Sequence, residues 1–164
     1  MRKQTILGID PGLAKTGWGL IQTEGSNLQY IACGTIKTKA SLPNPQRLKQ
    51  LYEGLKDIVN QYHPMAAAVE EVYVNNNARS SLSLGQARGI ALLVPTQAGL
   101  EVMEYTPSEV KQSLVGTGRA DKTQIGFMVK TLLPTAKPET EDAADALAIA
   151  ITHAHMASFK RLAG

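Results

Sequence analysis

Four acidic residues stand where the chain could bring their carboxylates together: Asp10, Glu70, Asp142 and Asp145. Asp10 and Glu70 each end a short apolar stretch with the pattern of a buried strand, and neighbouring strand ends in a sheet form a crevice. Asp142 and Asp145 are three residues apart on a predicted helix, so they share one face. If that helix packs across the strand ends, the four carboxylates converge.

Converging carboxylates repel one another, and they cannot all ionise unless a positive charge lies among them. Hard divalent cations such as Mg²⁺ or Mn²⁺ prefer oxygen ligands of this kind. Two such ions about 3.5–4 Å apart can hold a phosphodiester, one activating the attacking water and the other stabilising the leaving 3′-oxygen. The pattern therefore predicts a nuclease with two Mg²⁺ ions per site, for which Mn²⁺ can substitute.

Three of these acids also have a simpler explanation. The Pro-Gly that follows Asp10 is typical of an ordinary turn, Glu70 fits a solvated strand end, and Asp142 fits an acid that complements a helix dipole. Asp145 is harder to explain in this way, because its neighbours are nearly all apolar and predict a buried helix. A buried aspartate needs a partner or a metal. The hypothesis rests on the combination, and Asp142 is its weakest member.

The hydrophobic periodicity predicts the elements that would position these acids. Strands are predicted over 5–10, 16–23, 29–38, 66–70 and 101–105, and helices over 46–62, 80–97, 107–115, 120–133 and from the N-cap Thr140 to about 159. Three meandering strands followed by alternating helices and strands indicate an α/β fold. The predicted sheet is mixed, with three antiparallel and two parallel strands, and is flanked by helices.

Length and charge set broad limits on the function. The 164 residues fit a single domain over 1–164. Lys and Arg (17) outnumber Asp and Glu (14), giving a net charge of +3 and a pI near 9.0. A basic body around an acidic metal pocket suits a nucleic-acid enzyme, although a mildly basic domain without such a partner explains the charge equally well.

A single cysteine, Cys33, excludes an intrachain disulfide and a cysteine-rich zinc site and favours the cytoplasm. No apolar stretch is long enough to span a bilayer, so no membrane partner is expected.

Several motifs follow one another along nearly the whole chain. They are Gly-Ile-Asp-Pro-Gly at 8–12, Val-Glu at 69–70, Leu-Gly-Gln-Ala-Arg-Gly at 84–89, Val-Lys-Gln at 110–112, the stretch 116–122 and Asp-Ala-Ala-Asp-Ala-Leu-Ala-Ile-Ala-Ile-Thr-His at 142–153. In this combination they closely resemble the RuvC family of Holliday junction resolvases.

The resemblance implies a ribonuclease H-like fold, a homodimer and Mg²⁺-dependent paired nicking of two opposed strands of a four-way DNA junction, in recombination and DNA repair. It also implies a branch-migration motor complex as a partner. The residues that match Asp10, Glu70, Asp142 and Asp145 would bind the metals. Asp10 would be the shared ligand, with Glu70 on one ion and Asp145 on the other.

Other residues gain a role only through this resemblance. Lys111 and Lys122 match lysines near the scissile phosphate, where they would contact the backbone and offset developing charge. Tyr73 matches an aromatic position that stacks on bases at the opened junction, and Asn76 and Arg79 in the same segment are expected to contact DNA. Without the match, solvated lysines and a core tyrosine explain these residues as well.

Small residues recur on the helix predicted over 80–97, at Gly85, Ala87, Gly89 and Ala91. They would let a partner helix approach closely, so we expect this helix to contribute to the dimer interface. A two-fold dimer would present two sites to a two-fold junction. The alternative is close packing of the helix on its own sheet.

Three other functions are open to such a sequence. A nuclease that processes ribosomal RNA precursors would share the opening Asp-Pro-Gly, but the helix motifs at 84–89 and 144–150 argue against it. An ATP-binding domain of the actin and sugar-kinase type also begins with Gly-Ile-Asp-x-Gly, but that fold needs two domains. A junction-binding module without activity would not need four acids. Junction resolution is the preferred hypothesis.

Overall fold

A computed structural model of the chain describes residues 2–71 and 76–164. Its elements follow the predicted order of three strands and then alternating helices and strands. They are β1 (Lys3–Asp10), β2 (Lys15–Glu24), β3 (Asn27–Lys37), α1 (Asn44–Tyr62), β4 (Ala66–Glu70), α2 (Ala78–Gln97), β5 (Glu101–Tyr105), α3 (Pro107–Val115), α4 (Lys122–Leu132) and α5 (Glu141–Ala163). None of these helices is long and apolar enough to cross a bilayer.

Two helix ends differ from the predicted bounds. Helix α1 begins at Asn44 rather than at 46, because Pro45 is accommodated in its first turn, where no intrahelical N–H bond is required. Helix α5 continues to Ala163 rather than ending near 159. Ion pairs from its last turn, between Lys160 and Glu109 (3.0 Å) and between Arg161 and Glu101 (2.5 Å), hold this extension against α3 and β5.

The five strands form one sheet in the order β3-β2-β1-β4-β5. Strand β2 pairs antiparallel with both β1 and β3, whereas β4 runs parallel to both β1 and β5. This confirms the predicted mixed sheet of three antiparallel and two parallel strands. It also places β1 and β4 side by side with their carboxyl ends at the same edge.

The alternation of side chains along each strand divides the core between the two faces of the sheet. Leu7 and Ile9 of β1 lie on the face covered by α1 and α2. Ile6 of β1 and Ala68 of β4 belong to the opposite face, which α5 covers with α3 and α4 packed beside it. Gly8 and Asp10 alternate onto the α5 face as well.

Helix α5 lies directly on the backbone of β1 and β2. A Cβ atom at Gly8 would overlap the carbonyl oxygen of Ala146, and one at Gly17 would overlap the carbonyl oxygen of Asp142. Gly17 is the register partner of Asp10 on the neighbouring strand. The absence of side chains at these strand positions therefore lets the first turns of α5 approach the end of β1.

We expect Gly17→Ala to destabilise the protein by about 3 kcal/mol, because a methyl group there forces the start of α5 away from the sheet. The matched control is Gly126→Ala in α4, where a Cβ would meet no atom within 4 Å and alanine should add about 0.5–1 kcal/mol of helix stability. Urea denaturation of both variants checks this. Equal stability of the two would mean that α5 is not seated closely on β2.

Candidate active site

Adjacent parallel strands place Asp10 and Glu70 beside each other. Ile9 of β1 is the register partner of Val69 of β4, and the two acids follow directly. Both alternate onto the α5 face, whereas Ile9 and Val69 are buried on the other face. The same alternation directs the next residue, Glu71, away from α5. The pleat of β4 therefore selects Glu70 over Glu71.

The start of α5 brings the other two acids to this edge. The side chain of Thr140 caps the helix, as predicted, by accepting a hydrogen bond from the backbone N–H of Ala143 (3.1 Å). The same hydroxyl lies 2.6 Å from the hydroxyl of Thr35 on β3. Together with the close contact between Gly17 and Asp142, these bonds fix the first two turns of α5, which carry Asp142 and Asp145.

The four acids form one electrostatic unit. Burial, reinforced by the negative charges of Glu70, Asp145 and Asp142, raises the pKa of Asp10 to about 8, and the Lys122 ammonium offsets only part of this rise. Burial and the charge of Asp145 raise the pKa of Glu70 to about 7. Burial also raises the pKa of Asp145 to about 6. The fold thus holds carboxylates where they are reluctant to ionise without a compensating charge.

Lys111 of α3 and Lys122 of α4 lie at the same site, as predicted. With Glu70 and Asp145 they line a small cavity of about 110 Å³. Both ammonium groups act to lower the pKa of Glu70. They are therefore close enough to the acids to meet a phosphate bound there.

Glu141 is a site residue that the sequence did not single out. Its carboxylate accepts a hydrogen bond from the Lys122 ammonium (2.6 Å), and this bond raises the pKa of the lysine. The sequence feature that could have identified Glu141 is its position directly before Asp142. That position is equally typical of an acid that complements the helix dipole. Its role as the partner of Lys122 depends on the packing of α4 against α5.

The donor set fits a hard divalent cation, since all four donors are carboxylates. Repulsion between neighbouring carboxylates contributes to the raised pKa values of Asp10, Glu70 and Asp145. Among residues 2–71 and 76–164, however, no three Asp, Glu, His or Cys side chains form a ready-made cage for a metal ion. The fit therefore rests on the chemistry and electrostatics of the donors and not on coordination distances.

The remaining predicted DNA-contacting residues are Tyr73, Asn76 and Arg79. Tyr73 is outside the described residues. Asn76 and Arg79 are exposed on either side of the helix cap Asn77, whose side chain accepts a hydrogen bond from the N–H of Ser80 (3.1 Å). Neither Asn76 nor Arg79 lines the cavity between Glu70 and Asp145.

The small residues of α2 divide into two sets. Ala87 and Ala91 are fully buried against this chain's own sheet, which is the alternative considered above. Gly85 and Gly89 instead face open space, where an added Cβ would meet nothing within 4 Å. Half of the predicted interface positions are therefore accounted for by the core, and half are exposed.

Without divalent metal, we expect the stability of the protein to fall as the pH rises from 6.5 to about 8.5. The raised pKa values of Glu70 and Asp10 mean that the folded state holds protons that the unfolded state has already released, so their contribution is lost as the pH passes about 7 and about 8. Burial lowers the pKa of His153 to about 4 from an ordinary 6.5, which acts in the opposite direction only below this window.

Thermal or urea denaturation in EDTA checks this expectation. Asp10→Asn is the informative variant, because it removes the group with the highest carboxyl pKa and should flatten the decline between pH 6.5 and 8.5. A wild-type protein that becomes more stable than this variant as the pH rises would contradict the assignment of a crowded, desolvated carboxylate cluster.

The chain is similar in sequence and in structure to known proteins of one family. A model of the family described as crossover junction endodeoxyribonuclease RuvC matches residues 6–153. The RuvC proteins of Afipia carboxidovorans and Azorhizobium caulinodans are 56% and 55% identical to the chain over 150 residues, covering 92% of it and 88% and 89% of theirs. The solved T. thermophilus RuvC in complex with Holliday junction substrate has a TM-score of 0.89 at 31% identity and covers 96% of each chain. This likeness confirms the ribonuclease H-like fold. The chain belongs to the RuvC family of crossover junction endodeoxyribonucleases.

Proposed function

We propose that this protein resolves four-way DNA junctions by nicking two opposed strands symmetrically, with divalent metal as cofactor. The observation that carries the proposal is the convergence of Asp10, Glu70, Asp142 and Asp145 where the start of α5 meets the ends of β1 and β4, in a member of this endonuclease family. The solved complex of the T. thermophilus relative with a Holliday junction substrate supports the choice of DNA structure.

The four carboxylates are the proposed ligands of two Mg²⁺ ions, for which Mn²⁺ can substitute. Asp10, at the centre of the electrostatic unit, would contribute to both positions, with Glu70 on one side and Asp145 on the other. Asp142 would complete the set. When bound, such ions supply Lewis acidity and lower the pKa of a water molecule. The burial of Asp10 and Glu70 keeps these ligands partly out of water, which strengthens their attraction for a cation.

Lys111 and Lys122 provide the positive groups on the α3 and α4 side of the acids. Lys122 is held by Glu141 and senses the charges of Asp145 and Asp10. From this position its ammonium can contact a non-bridging phosphate oxygen and offset the charge that develops during cleavage. Glu141 would act as a positioning residue for Lys122.

The remaining contacts proposed for the substrate come from the segment before α2 and from the first turn of α2. Tyr73 would stack on a base at the opened junction, and Asn76 and Arg79 would contact nearby DNA. The exposed positions of Asn76 and Arg79 leave their side chains accessible for this role.

A homodimer is part of the proposal. Leu82, Gly85, Gly89 and Leu93 recur at helical spacing along α2, and the two leucines are 66% and 46% exposed. An apolar stripe with small residues suits close packing of two copies, and a two-fold pair would present two sites to one junction.

The proposal also includes the cellular context. We place the activity in the cytoplasm, consistent with Cys33 being unpaired. We take residues 1–164 to act as one nuclease domain that works with a branch-migration motor complex. Support for this partner comes only from the family resemblance.

The ribosomal RNA-processing alternative is not favoured, because the family model extends from the first strand through the motif at 142–153. Cleavage assays with a four-way junction, a linear duplex and structured RNA separate the two functions. Paired nicks in the junction alone are expected. Trimming of the RNA without junction nicking would overturn the proposal.

Glu70→Gln should lower the rate of junction cleavage on the order of a hundredfold or more, since a lost metal ligand removes several kcal/mol of transition-state stabilisation. Glu71→Gln is the matched control and should cleave like the wild type. Asp10→Asn should also abolish nicking while junction binding is largely retained. Equal losses of cleavage rate in the Glu70 and Glu71 variants would contradict the assignment of Glu70, rather than Glu71, as the metal ligand.

Leu82→Glu combined with Leu93→Glu should convert a dimer to a monomer, because two charges per subunit would be buried in the apolar stripe. Sedimentation velocity at micromolar concentration measures this. Met65→Glu is the control, since Met65 is an exposed apolar residue on the loop before β4. A wild-type protein that sediments as a monomer would contradict the proposed interface.

A further inference from the structure

A polar groove lies between β3 and the segment that leads into α5. Its volume is about 390 Å³. The walls include Thr35 and Lys37 from β3 and Lys137 and Thr140 from the segment before α5. The 2.6 Å contact between the Thr35 and Thr140 hydroxyls joins the two walls. The groove is therefore built from elements that also position the acidic helix.

The strand register relates this groove to the carboxylates. Asp10 pairs with Gly17 on β2, and Gly17 pairs with Thr35 on β3, so the three residues form one row across the sheet. Two strand spacings separate the ends of this row, a distance of about 10 Å. Because Thr140 stands two residues before Asp142, both walls of the groove adjoin the candidate active site.

Two lysines continue the same face beyond this row. Lys15 and Lys37 are register partners and lie two residues from Gly17 and Thr35 on their strands. Side chains two residues apart point to the same face of a sheet. The sheet order β3-β2-β1-β4-β5 places these lysines on the opposite flank of the acids from Lys111, whose helix follows β5.

The positive charge on this side of the acids is largely uncompensated. Lys15, Lys37 and Lys137 are exposed, and none of them forms an ion pair with another described residue. Glu139 is the acid that lines the groove. Among the other described lysines, Lys49, Lys122 and Lys160 form ion pairs with carboxylates. A cationic groove beside an acidic centre is suited to a polyanion that must pass close to that centre.

We propose that Lys15, Lys37 and Lys137 form a second DNA-backbone site, here called the β3 lysine site. It binds phosphates of the strand being cut, within about three nucleotides of the scissile phosphate, because the row from Asp10 to Thr35 spans only about 10 Å across the sheet. The inference rests on the proposed function. Its consequence is that the scissile strand is held on both flanks of the carboxylates, with Lys111 and Lys122 on the other side.

The test replaces Lys15, Lys37 and Lys137 together with glutamine. The matched control replaces Lys3, Lys49 and Lys56, which makes the same change in net charge at the opposite end of the sheet and on α1. Fluorescence anisotropy with a four-way junction, in EDTA and over a series of salt concentrations, measures affinity. Thermal denaturation verifies that both variants are folded.

The β3 lysine site predicts about a tenfold or greater loss of affinity near 0.1 M salt. The slope of log affinity against log salt should fall in magnitude by two to three, because each phosphate contact contributes about 0.9 to it. The control variant should change both quantities little. A wild-type slope and affinity in the Lys15/Lys37/Lys137 variant, or equal losses in the two variants, would overturn the inference.

Location is tested with neutral methylphosphonates placed one, two or three nucleotides from the scissile position, on one side at a time. On one of the two sides the substitution should weaken wild-type binding but not add to the loss in the lysine variant, since both changes remove the same contact. Additive losses on both sides would overturn the location.

Failure of the inference is distinguishable from failure of the proposed function. A wild-type protein that nicks the junction with Mg²⁺, together with a lysine variant of unchanged affinity, would reject the β3 lysine site alone. A wild-type protein that neither binds nor nicks the junction would reject the proposed function and the inference with it.

Discussion

The seating of α5 on bare strand backbone is the contact on which the site depends. Side chains at Gly8 or Gly17 would collide with carbonyl oxygens of the helix, so the helix can reach the end of β1 only because those side chains are missing. Because protein interiors deform little, α5 either packs directly on the backbone of β1 and β2 or is displaced from it. The distance between the strand acids and the helix acids is therefore set by backbone contact and not by flexible side chains.

The close packing of α5 on the sheet forces negatively charged carboxylates together, which is electrostatically unfavourable. Bringing Asp142 and Asp145 over Asp10 and Glu70 desolvates negative charges and crowds them, which is why burial and neighbouring carboxylates raise the pKa of Asp10. A site that resists its own ionisation in this way attracts cations, whether protons or metal ions. Lysines on the flanks can offset the remaining charge for a phosphate, but they cannot replace a cation among the acids.

Much of this arrangement could be predicted from the sequence, and the remainder depended on packing. Periodicity was sufficient for the sheet, and the spacing of Asp142 and Asp145 was sufficient for their shared helix face. The choice of Glu70 over Glu71 came from the match to the family motif, and the register of β4 against β1 supplies its physical reason. Ala87 and Ala91 resembled interface positions because small residues suit both a partner helix and a close sheet. The pairing of Lys122 with Glu141 joins two different helices through their packing, so it could not be read from the pattern of either helix alone.

The hydrogen bond between the Thr35 and Thr140 hydroxyls connects the edge strand β3 to the N-cap of the acidic helix α5. Edge strands are bonded along one side only and are among the first parts of a sheet to open. Here opening of β3 would also release the cap of α5 and disturb the carboxylates behind it. Amide hydrogen exchange at the end of β3 and at the start of α5 should therefore share one opening free energy, so that the outermost strand and the acidic helix behave as a single cooperative unit.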